Sequence, residues 1–107
     1  MQTYSHYNRN ALALLGGLIR SARKEHSFTE REIAVRAGIS RGLLQRIERG
    51  DPKCSIGAAF EVATLVGVQL FDAEPHTLKR YLHQTEDKLT LLPESIRKKS
   101  VDIYDDF

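Results

Sequence analysis

Cysteine is almost absent from this chain. Cys54 is the single cysteine in 107 residues, so no disulfide can close within one molecule, and the disulfide-stapled scaffolds of small secreted domains are excluded. Tryptophan is missing and methionine occurs once. With four Phe and four Tyr, the core must be built mainly from aliphatic side chains. Long hydrophobic runs are lacking too. The longest, Ala11 to Ile19, contains Gly16 and Gly17 and is too short to cross a bilayer. Met1 to Asn10 is polar, without the apolar centre of a signal peptide. A cytoplasmic protein with no membrane partner is expected.

The chemistry of catalysis is equally sparse. Among His6, His26, His76 and His83, the last two are seven apart and can share a helix face, but no Cys, Asp or Glu completes a metal-ligand spacing. Cys54 precedes a candidate helix cap, where a thiolate can be stabilised; the alternative is a small half-buried residue. No glycine-rich phosphate loop and no nucleophile elbow is present. No metal, no cofactor and no catalytic residue is expected, and the chain is not read as an enzyme. Its length allows one modest core and excludes a multidomain enzyme.

What is present is ordinary globular composition, 41% hydrophobic and 28% charged, with an uneven charge. The net value is +2. Residues 9–53 hold ten Lys and Arg against five Asp and Glu, a local +5, and residues 54–107 hold six against nine, a local −3. A basic half joined to an acidic half points to a polyanion partner on one side and a different partner on the other.

Helix punctuation is clear. Asn8 is a candidate N-cap for a first helix with a Tyr7–Leu12 staple, and Leu12, Leu15, Ile19 and Ala22 form its apolar stripe. Gly16 and Gly17 lie inside that stripe, where each costs about 1 kcal/mol against Ala, so a neighbour is expected to approach closely. Thr29 to Glu32 is a capping box for a second helix ending at Gly38. Ser40 caps a third, closed by Gly50, and Asp51-Pro52-Lys53 is a turn. Ser55 caps a fourth, Ile56 to Val66, ending at Gly67. Val68 to Phe71 is either a short strand or an irregular core segment; periodicity does not decide. Pro75 suits the first turn of a fifth helix, where Leu78, Leu82, Thr85, Leu89 and Leu92 lie near heptad spacing until Pro93. Pro93 to Phe107 is a charged tail, basic at Arg97 to Lys99 and acidic and aromatic at its end, expected to be poorly ordered alone.

Helices two and three, joined by a short turn with glycine, have the grammar of a DNA-binding helix-turn-helix: Ala34 is small where the helices cross, and Ile39, Leu44 and Ile47 are apolar where they rest together. A helical hairpin in any small α domain reads the same way. The polar residues favour the DNA reading. Arg41, Gln45 and Arg46 lie outside the apolar stripe of the third helix, and arginine can donate two hydrogen bonds to guanine O6 and N7. The helix N-terminus with Ser40 can bind a phosphate.

Three segments, Thr29-Glu30-Arg31-Glu32-Ile33-Ala34, Ala37-Gly38-Ile39-Ser40-Arg41 and Leu44-Gln45-Arg46-Ile47-Glu48-Arg49-Gly50, resemble the Xre/Cro/CI helix-turn-helix family. The resemblance covers Leu15 to Leu70. It implies an all-α, lambda-repressor-like bundle that binds palindromic double-stranded DNA as a homodimer. It places base readers at Arg41, Gly42 and Arg46, with Thr29, Ser40 and Leu43 near the DNA backbone, and an internal ion pair at Arg23 and Glu48. Two departures stand out. Glu30 replaces a phosphate-contacting Gln and needs a partner such as Arg31 or Arg36, and Leu43 is apolar, to touch a thymine methyl or to pack. The flanks, Gly50-Asp51-Pro52, Ser55-Ile56-Gly57, Leu65 to Val68, and a tail closing in Asp105-Asp106-Phe107, are similar to the HipB-like antitoxin branch. That implies repression of the protein's own operon at the nucleoid and binding of a HipA-like kinase toxin, with or without a further small protein. The alternative is a stand-alone phage-like repressor.

The resulting expectation is a DNA-binding domain at 1–72, a C-terminal helix at 73–92 and a flexible tail at 93–107. A dimer interface falls on Val68, Leu70, Phe71, Leu78 and Leu82, with Leu89 on the same face. The alternative for these leucines is that they cover the monomer's own core. Tyr104 and Phe107 are the aromatic anchors for the kinase.

Overall fold

The computed structural model describes residues 3–72 and 74–94. Five α-helices follow one another: α1 (His6–Glu25), α2 (Glu30–Ala37), α3 (Arg41–Glu48), α4 (Ile56–Val66) and α5 (Pro75–Leu91). The fold is all-α, and the described residues contain no strand. Val68 to Phe71 therefore forms no strand. Leu70–Asp72 is a single 3-10 turn with Phe71 at φ 60°, a backbone that no strand ladder accommodates. The chain divides into two units, residues 1–72 and 73–107; no helix among the described residues is long and apolar enough to cross a membrane.

Local chemistry sets the helix ends. Thr29 Oγ1 accepts from the Glu32 N–H at 3.1 Å, while Glu32 Oε1 accepts from the Thr29 N–H at 3.0 Å; these bonds hold the Glu32 carboxyl below its usual range. Ser40 and Ser55 cap α3 and α4 through their hydroxyl oxygens. Asn8 does not cap α1. Ser5 does, its Oγ accepting from the Asn8 N–H at 3.1 Å, and Tyr7 is 84% exposed rather than stapled. Serine caps as well as asparagine, and starting earlier lengthens the helix. At Gly38 and Gly67 the chain turns left-handed, and the next residue's N–H returns to the carbonyl five positions back, Ile39 to Ala34 and Val68 to Ala63.

The core of the first unit is aliphatic: Ile19, Ile33, Ala34, Leu44, Ile47, Val62, Ala63 and Val66 are buried, so each of α1 to α4 contributes. Two features fix α3 against α1. The first is a close crossing. A Cβ at Gly16 would lie 2.5 Å from the Glu48 carbonyl oxygen and 2.7 Å from that of Ile47, and one at Gly50 would lie 2.8 Å from the Ala13 nitrogen. Gly17, by contrast, faces open space, so its expected close neighbour is absent. The second is an ion pair. Arg23 Nε donates to Glu48 Oε2 at 2.7 Å and Nη2 to Oε1 at 3.1 Å, while Nη1 donates to the Phe28 carbonyl at 3.0 Å. Both side chains are under 10% exposed.

In the second unit, α5 starts with Pro75 in its first turn, and Glu74 Oε1 accepts from the Thr77 N–H and hydroxyl, both at 2.8 Å. No residue of α5 is buried; Leu78, Leu82 and Leu89 are 43%, 57% and 63% exposed. The tail beyond residue 94, with Tyr104 and Phe107, lies outside the described residues.

Two outcomes follow from the α1–α3 junction. Gly16→Ala must push two backbones apart and is expected to lower stability by about 1–3 kcal/mol, whereas Gly17→Ala, on an exposed helix face, raises it by up to about 1 kcal/mol. Thermal melts of the two variants check the contrast, and equal effects would refute it. Arg23→Met and Glu48→Leu each strand a buried charge and are expected to cost about 3–5 kcal/mol, with the double variant losing far less than the sum. Additive losses in the double-mutant cycle would mean that the two groups are not coupled.

Candidate DNA interface

The turn at Gly38 to Ser40 sets α3 beside α2, with Leu44 and Ile47 buried and the opposite side of the helix left open. Arg41 stands in the first turn of α3, exposed, and no hydrogen bond or ion pair engages it among the described residues. Gly42 beside it is exposed as well, and a Cβ there would meet only Ser40 Oγ, at 3.9 Å. The first turn of α3 is therefore a low, uncluttered surface with one exposed cation. Ser40 Oγ accepts from the Leu43 N–H at 3.0 Å, which leaves its hydroxyl proton available to donate. Thr29 is likewise occupied as an acceptor by the capping box.

Three other residues are placed in ways the spacing does not reveal. Leu43 is half-buried and packs against the core. Gln45 Nε2 donates to Glu30 Oε2 at 2.8 Å. Glu30 thus finds its partner in Gln45, rather than in Arg31 or Arg36; Arg36 instead lies over the Phe28 ring, 4.7 Å from its centroid. Arg46 Nε donates to Asp51 Oδ2 at 2.9 Å, and Nη2 reaches the Lys53 carbonyl at 3.4 Å. The Lys53 N–H, first, and Arg46, second, hold the Asp51 carboxyl below its usual range, and Asp51 in turn raises Arg46.

The surrounding charge is mostly positive. Arg20 and Arg49 join Arg23, Glu30, Gln45 and Glu48 around one polar pocket. Arg23 neutralises Glu48, and the neutral amide of Gln45 binds Glu30 without cancelling its charge, so the three arginines and two carboxylates leave a net +1 there. Sequence spacing missed Asp51, Arg20 and Arg49 as members of this surface. Only the excess of basic residues in 9–53 signalled it.

The remaining candidates lie elsewhere. Val68 and Leu70 are half-buried and packed against the domain's own core, while Phe71 is 72% exposed and meets Phe60 edge-on at 6.3 Å between centroids. Ile56, 73% exposed, walls an apolar groove with Phe60, Leu12 and Pro52. Cys54 is half-buried, and burial pushes its thiol up, the opposite of a stabilised thiolate. His76 and His83 are exposed on α5.

A model of the Helix-turn-helix family matches residues 19–72, half of the chain. No curated protein and no solved structure matches it. The matched residues run from the buried Ile19 through the capping box, the glycine turn, α3 and α4 to the 3-10 turn, which are the elements that build the open face of α3. The chain belongs to the Xre/Cro/CI-type helix-turn-helix family and is a sequence-specific DNA-binding transcription regulator.

Proposed function

We propose that the protein is a HipB-like antitoxin: a homodimer that represses its own operon at the nucleoid of the cytoplasm and binds a HipA-like kinase toxin. The observation that carries the DNA part is the open first turn of α3, with Arg41 exposed and unengaged among the described residues beside the bare backbone of Gly42. In the major groove, the first turn of a recognition helix meets base edges. Arg41 is the base reader of that turn, Arg46 the reader one turn later, and Gln45 reads beside them through the amide atoms that Glu30 leaves free. Ser40 and Thr29 lie at the backbone, as do the cations Arg20 and Arg49.

A single recognition helix reads few base pairs, so the operator is a palindrome read by two copies, with half-sites about 34 Å apart. Because Val68 and Leu70 are taken up by the core, the face on the first unit that a second copy covers is Phe71 with Phe60 and Ile56. On the second unit it is Leu78, Leu82 and Leu89. The kinase part is supported by the likeness of the flanks to HipB-like antitoxins and by the acid excess of residues 54–107, which phosphates would repel if that half lay along the duplex.

Arg41→Ala is expected to cost about 1–3 kcal/mol on the DNA upstream of the protein's own gene and less on random duplex. A mobility-shift titration at fixed salt measures both, and equal losses would leave only phosphate contacts. A chain truncated after Leu92 and co-expressed with the adjacent kinase is expected to keep operator binding and to lose most of its kinase capture. Full capture by the truncated chain would move the contact back to the helical body.

A further inference from the structure

Arg23 and Arg46 are gripped alike but exposed differently. In each, the guanidinium edge formed by Nε and Nη2 faces the protein. In Arg23 that edge holds both Glu48 oxygens and Nη1 donates to Phe28, so the whole group is engaged and its side chain is 8% exposed. In Arg46 the same edge holds Asp51 Oδ2 and the Lys53 carbonyl. Nothing among the described residues engages its Nη1, and its side chain is 42% exposed. The outer edge, Nη1 with the second Nη2 hydrogen, is left as two parallel donors pointing away from the turn.

Asp51 is itself fixed. Its Oδ1 accepts from the Lys53 N–H at 2.8 Å, and its own N–H donates to the Arg46 carbonyl at 3.0 Å. Backbone bonds on both sides of the turn therefore hold the carboxylate, and the carboxylate holds the guanidinium. An arginine oriented in advance loses less rotamer freedom when it binds. Two parallel N–H donors match the paired O6 and N7 acceptors of guanine in the major groove.

We propose that Asp51 is a specificity-determining positioning residue, which holds Arg46 with its outer edge presented to the O6 and N7 atoms of a guanine in the operator. This rests on the reading of α3 as the recognition helix. A phosphate also offers two oxygens to such an edge, and the experiment separates the two targets.

Duplexes with a randomised site are selected by the full-length chain, and the selected site is then titrated with each base in turn replaced. Wild type is expected to require guanine at one base pair of each half-site, with discrimination of about tenfold or more. Arg46→Lys keeps the charge but not the fork: discrimination at that pair falls to about twofold, with the salt dependence unchanged. Asp51→Asn keeps an oxygen for the Lys53 N–H but removes the charge that orients Arg46. Its discrimination falls about three- to tenfold at the same base pair and nowhere else, with an unaltered melting temperature. Overturning results are an Asp51→Asn chain with intact guanine preference, or one whose affinity drops equally for every sequence. An Arg46→Lys loss of affinity that is equal for every sequence assigns the edge to phosphate and also overturns the proposal. A wild-type chain that enriches no sequence overturns the reading of α3 itself, whereas an enriched site indifferent to Arg46 overturns only the role of Asp51.

Discussion

The buried Arg23–Glu48 pair is the constraint on which the rest depends. Two charges removed from water are costly, and their attraction restores that loss only when every donor and acceptor is matched. Here the carboxylate takes both Nε and Nη2, and Nη1 takes the Phe28 carbonyl. Among the described residues no buried side-chain polar atom is left without a partner. Such a pair adds little net stability compared with a well-packed apolar pair. What it adds is position. Glu48 is the last residue of α3, and Arg23 lies near the end of α1; the bidentate geometry leaves one relative placement of the two helices. Gly16 reinforces it, because the α3 carbonyls of Ile47 and Glu48 sit where its side chain would be. Since α3 carries Arg41, Gly42, Gln45 and Arg46, a contact at the C-terminal end of the helix fixes where these residues stand.

The same chemistry recurs at the surface with a different result. Arg46 and Asp51 repeat the charge-assisted grip, but their side chains are 42% and 29% exposed, so solvent screens the attraction and its worth to stability is small. The value of an exposed pair lies in what it leaves unbound. Glu30 and Gln45 make a counterpart with a neutral donor: a carboxylate only accepts, so the amide nitrogen of Gln45 must face it, and the amide oxygen is turned away. The carboxylates around α3 therefore act as orienting groups for donors.

Most of the fold was legible because capping residues and glycines carry local information. The capping box at Thr29 to Glu32, the caps at Ser40 and Ser55, and the left-handed turns at Gly38 and Gly67 depend on neighbours within six residues. Where the signal was weak, the reading failed for identifiable reasons. The end of α1 has no glycine; Ser27 adopts φ 59° there, a conformation that its sequence does not announce. Ser5 and Asn8 are equivalent caps, and only helix length separates them. Gly16 and Gly17 are indistinguishable in a string, yet a rotation of 100° puts one against α3 and the other into open space. The candidate site was legible at Arg41, whose position in the first turn is enough. The partners of Gln45 and Arg46 were not, because Glu30 lies on another helix and Asp51 lies five residues on, across a turn, where no helical periodicity links them.

The two halves of the chain differ in how they are stabilised. Residues up to 72 bury an aliphatic core drawn from four helices and need nothing further to define α3. Helix α5 has 17 residues and buries none of them. Helices of that length are marginal in water when nothing covers their apolar side, and the local supports of α5 are Pro75 in its first turn and the Glu74 cap. Leu78, Leu82 and Leu89 are among the apolar side chains that α5 leaves exposed. Because none of the buried core comes from α5, that helix can be altered without repacking the core beneath Arg41 and Arg46. The charge divides elsewhere: the acids Glu61 and Asp72 belong to the first unit, and α5 itself carries three Lys and Arg against two Asp and Glu.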